Sequence, residues 1–91
     1  MSNNRRAVGI AELREYMIDG HPITRVEALI LFGVPDLTKV VSDLRAERYI
    51  VLRGAIPFAA AIVRMRGLAE VTPPADLPVR EIMLTEYRVS R

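Results

Sequence analysis

The 91-residue sequence contains no cysteine and a single histidine. Without cysteine the chain can form neither a disulfide nor a thiolate metal site. A zinc site with one histidine would have to take its other ligands from carboxylates, so we do not expect a metalloprotein. We therefore expect the core to be stabilised by packing alone.

Long apolar runs are also absent. The most apolar window, Ala55–Val63, is far shorter than a membrane span. The first residues, Met-Ser-Asn-Asn-Arg-Arg, are polar and do not resemble a signal peptide. We therefore expect a cytoplasmic protein without a membrane partner. With 51% apolar residues, a chain of this length fits one domain around a single core.

No catalytic arrangement is recognisable in the sequence. There is no glycine-rich phosphate loop, no nucleophile placed with a base and no set of metal ligands. His21 stands between Gly20 and Pro22 without a serine or acidic partner, which indicates a turn residue rather than a general base. We expect no enzyme activity, no cofactor and no small-molecule substrate.

The charge balance is nearly even. Thirteen basic and eleven acidic residues give a net charge of +2, and Lys39 is the one basic residue that is not arginine. This is a weak signal for nucleic-acid binding, because each neutralised phosphate adds to affinity and dedicated binders often carry a larger surplus. The arginine preference also fits a GC-rich genome. Binding of a polyanion therefore requires the arginines to cluster on one surface.

Residues 24–48 carry the local signals of two helices joined by a tight turn. Thr24 and Glu27 have the spacing of a capping box, which starts a helix. Gly33 suits the left-handed residue that ends it, and Asp36 can cap a second helix. The apolar residues of that second helix recur at helical spacing at Leu37, Val40, Val41 and Leu44. Two short helices with glycine in the turn are typical of a helix-turn-helix.

A further helix is predicted before this pair. Ile10, Leu13 and Met17 recur at intervals of three and four, which predicts an amphipathic helix over residues 7–19. Residues 1–6 are predicted to be a flexible arm. Ile23 is expected to form a strand of one or two residues ahead of the second helix.

Residues 49–91 are predicted to form a wing of antiparallel strands. Tyr49–Arg53 alternates as a strand that Gly54 and Pro57 interrupt, and Val79–Val89 alternates as the closing strand. The proline-rich segment 70–78 before it lacks amide donors and is expected to be a stiff loop.

Residues 57–66 allow two interpretations. Phe58, Ile62 and Met65 suit a short helix that ends at Gly67. Val63–Arg66 also alternates, and a strand here would pair with residues 80–86 and place Arg64 and Arg66 in one exposed row. Periodicity does not decide over so short a run. In either case Ala55–Val63 is too apolar to lie in water, so it packs inside the monomer or forms a dimer interface.

The motifs of residues 12–52 resemble a small helix-turn-helix family of phages, prophages and mobile elements. The most specific matches are Glu27-Ala28-Leu29 and Asp43-Leu44-Arg45. The resemblance implies an α+β winged helix-turn-helix, with a three-helix core and a small antiparallel sheet as its wing, that binds DNA. The chain departs from the family at Asp36 and Val40, where relatives often carry arginine, and in a longer segment before the last strand.

The third helix provides the predicted reading face. With its apolar residues inward, a turn of roughly 100° per residue leaves Thr38, Lys39 and Ser42 outward, with Arg45 aimed at the DNA backbone. On the wing, Arg53, Arg64 and Arg66 are predicted to contact phosphates. Three carboxylates near this helix argue against DNA contact, because they would repel phosphates. We expect Asp36 to act as the helix cap, Asp43 to pair with Lys39, and Glu47 to pair with Arg48.

Two functions follow from these features. The first is a small sequence-specific DNA-binding protein of bacterial or phage origin, a transcription regulator or excision factor that binds double-stranded DNA as a homodimer. The second is a protein-binding module on the same scaffold, such as a phage-encoded inhibitor or antiactivator of a host complex. The near-neutral charge, Asp36 and Asp43 favour the second.

Overall fold

Four helices and a three-stranded antiparallel sheet make up residues 2–68 and 81–90, the residues that the computed structural model describes, with side chains from residue 9 onward. Their order is α1 (Ser2–Ile18), β1 (Ile23–Thr24), α2 (Arg25–Phe32), α3 (Leu37–Ala46), β2 (Val51–Pro57), α4 (Phe58–Arg66) and β3 (Met83–Val89). The predicted α+β class is confirmed, and the arrangement is compatible with a winged helix.

Helix α1 begins at Ser2 rather than at Ala7, so residues 2–6 are helical where the sequence predicted an arm. Leu13 and Met17 are fully buried, whereas Ile10 is 47% exposed. Gly9 brings α1 against the end of α2, because a Cβ atom at Gly9 would lie 2.2 Å from the carbonyl oxygen of Phe32. The two helices therefore contact each other through their backbones at this point.

Helix α2 has the two ends that the sequence predicted. The amide of Glu27 donates to Thr24 Oγ1 at 3.3 Å, and the amide of Thr24 donates to Glu27 Oε1 at 2.9 Å, which completes the capping box. Gly33 adopts a left-handed conformation with φ of 68°, and the amide of Val34 donates to the carbonyl of Ala28. Both ends are thus fixed by local hydrogen bonds.

Helix α3 begins at its predicted cap, where Asp36 Oδ1 accepts a bond from the amide of Lys39 at 3.2 Å. All four predicted apolar residues are buried, which confirms the predicted inward face. With seven further residues they form the main core, which consists of Leu13, Met17, Ile23, Ala28, Val34, Leu37, Val40, Val41, Leu44, Val51 and Val89.

The second half of the chain differs from its prediction in two places. Strand β2 continues through Gly54 to Pro57, past the predicted interruption. Residues 58–66 form helix α4, so the helical interpretation is confirmed and a strand at Val63–Arg66 was wrong. Strand β3 confirms the closing strand over Met83–Val89. The predicted loop at 70–78 and the first residues of the predicted strand, 79–80, lie outside the described residues.

The sheet has the order β1-β3-β2, and β3 pairs antiparallel with both neighbours. Side chains of a strand alternate between the two faces. Tyr87 and Val89 contact the main core, whereas Leu84 contacts a second core of Ala61, Ile62 and Met65 on α4. The sheet therefore packs against α1–α3 on one face and against α4 on the other.

The second core also decides where the apolar segment 55–63 lies. Ala61 and Ile62 are buried in it and Ile56 packs against it, while Val63 is 69% exposed. The inward residues of this segment therefore pack inside the monomer. None of the described helices is long and apolar enough to cross a membrane.

Candidate nucleic-acid interface

The outward face of α3 carries the predicted polar residues. Thr38, Lys39 and Ser42 are all exposed, and 72% of the Lys39 side chain is accessible to solvent. They face outward because the four apolar residues of the helix occupy the main core. The fold thus leaves this row open to a large partner.

Two carboxylates accompany these residues. Thr38 Oγ1 donates to Asp36 Oδ1 at 2.7 Å, and Lys39 Nζ lies 3.9 Å from Asp43 Oδ2, which is the predicted pair. Two hydrogen bonds hold the pKa of Asp36 below its ordinary value. The bond from the hydroxyl of Thr38 has the larger effect and the bond from the amide of Lys39 the smaller one. The exposed pair of Lys39 and Asp43 is long and therefore weak. The face carries both signs of charge, and Lys39 can move away from Asp43 with little loss of free energy.

Arg45 and Glu47 mark the other end of α3. The Arg45 guanidinium donates to the carbonyl of Val51 at 2.9 Å, so it bridges the helix to the start of β2 while remaining exposed. Glu47 accepts a bond from Arg14 of α1 at 2.7 Å, so the predicted pair with Arg48 was wrong. Successive residues do not face each other on a helix, and Arg48 lies beyond its end in a left-handed conformation with φ of 75°.

Arg64 occupies a different position from the one predicted. One of the two interpretations of residues 57–66 placed it with Arg66 in an exposed strand row, and that alternative is wrong because α4 is a helix. Its side chain is 27% exposed and donates to Glu27 at 2.7 and 2.5 Å and to Glu86 at 2.6 Å. The bond to Glu27 is the main reason why the pKa of Arg64 is raised. Its donors therefore point into the protein and not toward a ligand.

The buried end of this network is Glu27, whose side chain is 1% exposed. Each carboxylate oxygen accepts from Arg64, and Oε1 also accepts from the amide and hydroxyl of Thr24. The sequence predicted the capping role of Glu27 but not its salt bridge with Arg64. A carboxylate in a helix that is apolar nearly all round was the available signal, because a buried charge requires a partner.

Other arginines remain exposed around α3 and the sheet. Those that form no salt bridge within the described ranges are Arg25, Arg45, Arg48, Arg53 and Arg88. Arg25, at the start of α2, lies close enough to Asp36 to lower its pKa. Arg66 is also exposed, and Arg80 lies outside the described residues. Cations thus flank both ends of α3.

Comparison with known proteins gives no match. No family model matches the chain, and neither a curated protein nor a solved structure is significantly similar to it. The family resemblance of residues 12–52 therefore stays a prediction. Within residues 9–68 and 81–90, no group of three or more potential ligand side chains is placed to hold a metal ion.

Proposed function

We propose that this chain is a small winged-helix DNA-binding protein of bacterial or phage origin, acting as a transcription regulator or excision factor. One observation carries the proposal. Helix α3 follows a tight turn, buries the four apolar residues of its inward face and leaves Thr38, Lys39 and Ser42 exposed in one row. A second helix presented in this way is the element that enters the major groove in helix-turn-helix proteins.

Each exposed group has a contact that suits it. The hydroxyls of Thr38 and Ser42 can bond base edges or phosphates, and Lys39 can reach a phosphate or guanine. The exposed arginines at both ends of α3 are suited to phosphates on either side of the groove. Among the wing residues, Arg53 and Arg66 are exposed and keep their proposed roles, whereas Arg64 is committed to two carboxylates.

A binding titration tests the proposal. Fluorescence anisotropy of a labelled random-sequence duplex should show binding at low salt that weakens steeply between about 50 and about 200 mM salt. Lys39→Glu should lower the affinity, and it should also reduce the slope of log K against log salt by about 1. Lys39→Arg is the matched control, since it retains the charge and should retain most of the affinity. Absence of binding at low salt would refute DNA recognition.

A protein-binding module is the second candidate, because carboxylates interrupt the cationic row. Asp36 and Asp43 lie on or beside the exposed face of α3 and are themselves exposed. Asp43→Asn separates the two functions. It removes a negative charge from the DNA face and should tighten DNA binding, whereas a basic protein partner would be bound less tightly. Nuclease-treated pull-downs with the wild type and this variant distinguish the two outcomes.

The proposal includes a homodimer, because paired helix-turn-helix proteins read two half-sites. Exposed apolar side chains support association. Ile10 on α1 and Leu29 and Ile30 on α2 are 47%, 55% and 48% exposed. Sedimentation equilibrium with and without DNA measures the oligomeric state. A monomer under both conditions would remove the dimer from the proposal without affecting DNA binding.

A further inference from the structure

Strand β2 lies at one edge of the sheet, and none of the described residues pairs with its outer side. Two bonds show which of its backbone groups face β3. The amide of Ser90 donates to the carbonyl of Ile50, and the amide of Phe58 donates to the carbonyl of Ile82, both at 2.8 Å. In an antiparallel ladder the residues bonded to the partner alternate. The even-numbered residues of β2 therefore bond β3, and the odd-numbered residues point their N–H and C=O groups outward.

One backbone group at each end of this outer edge is not available for pairing. At one end the carbonyl of Val51 accepts the bond from Arg45. At the other end Pro57 has no N–H to donate. The open groups between them belong mainly to Arg53 and Ala55, each of which offers one donor and one acceptor. This spacing is complementary to a single short extended segment, which would add a fourth strand.

The side chains of β2 indicate which residues the added fourth strand should contain. Arg53 and Leu52 project from opposite faces of β2, and both are exposed, Leu52 by 46%. No acidic residue lies in β2, and Arg45 and Arg48 stand before its first residue. A segment with acidic residues beside Arg53 and apolar residues beside Leu52 complements both faces.

A second copy of the chain fits the edge less well. A symmetric pairing that uses the groups of Arg53 and Ala55 places Gly54 opposite its own copy. The two Arg53 side chains then lie diagonally on the same face of the enlarged sheet, where like charges are unfavourable. The charge of the edge therefore favours an acidic partner.

We propose that the outer edge of β2 binds an extended segment of a partner protein in which acidic and apolar residues alternate. The acidic side chains contact Arg53 and the apolar ones contact Leu52, while the backbone pairs with Arg53 and Ala55. This site uses β2 and not the exposed row of α3. It shares Arg53 with the proposed phosphate contacts, but the backbone groups of Ala55 and the row of α3 belong to one site each, so peptide pairing and DNA binding are tested separately.

An NMR titration tests the proposal directly. The ¹⁵N-labelled full chain is titrated with a short capped peptide of alternating glutamate and valine. The largest saturable shifts are expected at the amides of Arg53 and Ala55, with little change at Thr38 and Lys39. A peptide with lysine in place of glutamate should not bind. No saturable shift with the acidic peptide, or the largest shifts on α3, would overturn the proposal.

Two substitutions at Ala55 provide a matched pair. Ala55→Pro removes the outward N–H without removing a bond to β3, and the loss of one hydrogen bond should weaken the peptide by about threefold to tenfold. Ala55→Val keeps the N–H and should bind like the wild type. If Ala55→Pro does not fold, Arg53→Glu replaces it and should weaken the acidic peptide. Equal affinity for Ala55→Pro and the wild type would refute backbone pairing, and equal affinity for Arg53→Glu and the wild type would refute the contact between Arg53 and the acidic side chains.

Discussion

The two halves of the molecule are held together by different kinds of interaction. In the first half, α2 and α3 begin at side-chain caps, and α2 ends at a left-handed glycine. In the second half, α4 follows Pro57 with no side-chain hydrogen bond at its start. Its attachment depends on the second core and on Arg64, which joins α4 to Glu27 and Glu86. The first half is specified by neighbours in sequence and the second by contacts between distant residues.

The largest effect is expected from breaking the long-range link. Arg64→Met should destabilise the protein by about 3 kcal/mol or more, because it leaves the carboxylate of Glu27 buried without its partner. The double variant Arg64→Met with Glu27→Gln removes the unpaired charge and should recover part of the loss. Urea denaturation measures both. If Arg64→Met costs no more than a surface substitution, the network does not hold α4 in place.

A smaller effect is expected at the contact between α1 and α2. Gly9→Ala should cost about 1 to about 3 kcal/mol, because the new methyl group would overlap the carbonyl of Phe32. Gly54→Ala is the control, since a Cβ atom there meets nothing within 4 Å. Thermal unfolding should show a lower Tm for the first variant only. Equal Tm values for the two variants would show that α1 shifts freely on α2.

The local caps should contribute less. Thr24→Ala removes one side of the capping box and should cost about 1 kcal/mol. Asp36→Asn keeps a side chain that caps helices well and should change the free energy of unfolding little. Urea denaturation of the two variants compares them. A loss at Thr24 as large as that at Arg64 would erase the distinction between the two halves.

The smallest effect is a dependence on pH at the start of α3. Hydrogen bonds from Thr38 and from the amide of Lys39 lower the pKa of Asp36 in the folded state. Its contribution is present above the unfolded pKa and is lost as the pH falls through the folded pKa, in the acidic range. NMR titration should show the amide of Lys39 shifting over this range, and Asp36→Asn should abolish that shift. An unchanged titration in the variant would assign it to another group.

The sequence predicted the first half well, because its signals are local. The limits of α2 and α3 follow from Thr24, Gly33 and Asp36, and the buried row follows from helical spacing. The pair of Lys39 and Asp43 is one helical turn apart and was also predictable.

The remaining features depend on residues far apart in the chain. The bond from Arg14 to Glu47 and the bonds from Arg64 join different elements, so no spacing rule identifies them. Gly9 gave no signal, because the close approach of α2 appears only when the helices are packed. Gly54 was expected to end β2, but pairing with Glu86 on β3 carries the strand through it. Tertiary pairing overrides the weak strand preference of glycine.

The order β1-β3-β2 affects how the protein can form during synthesis on the ribosome. Strand β3 is the last of the described elements to be made, yet it occupies the centre of the sheet. A nascent chain that has not reached Met83 can form α1, α2 and α3, but it lacks β3, the strand that pairs with both β1 and β2. Since domains generally fold as units, the sheet forms late. Until then, the apolar residues of α2 and α4 are covered by each other and not by the sheet.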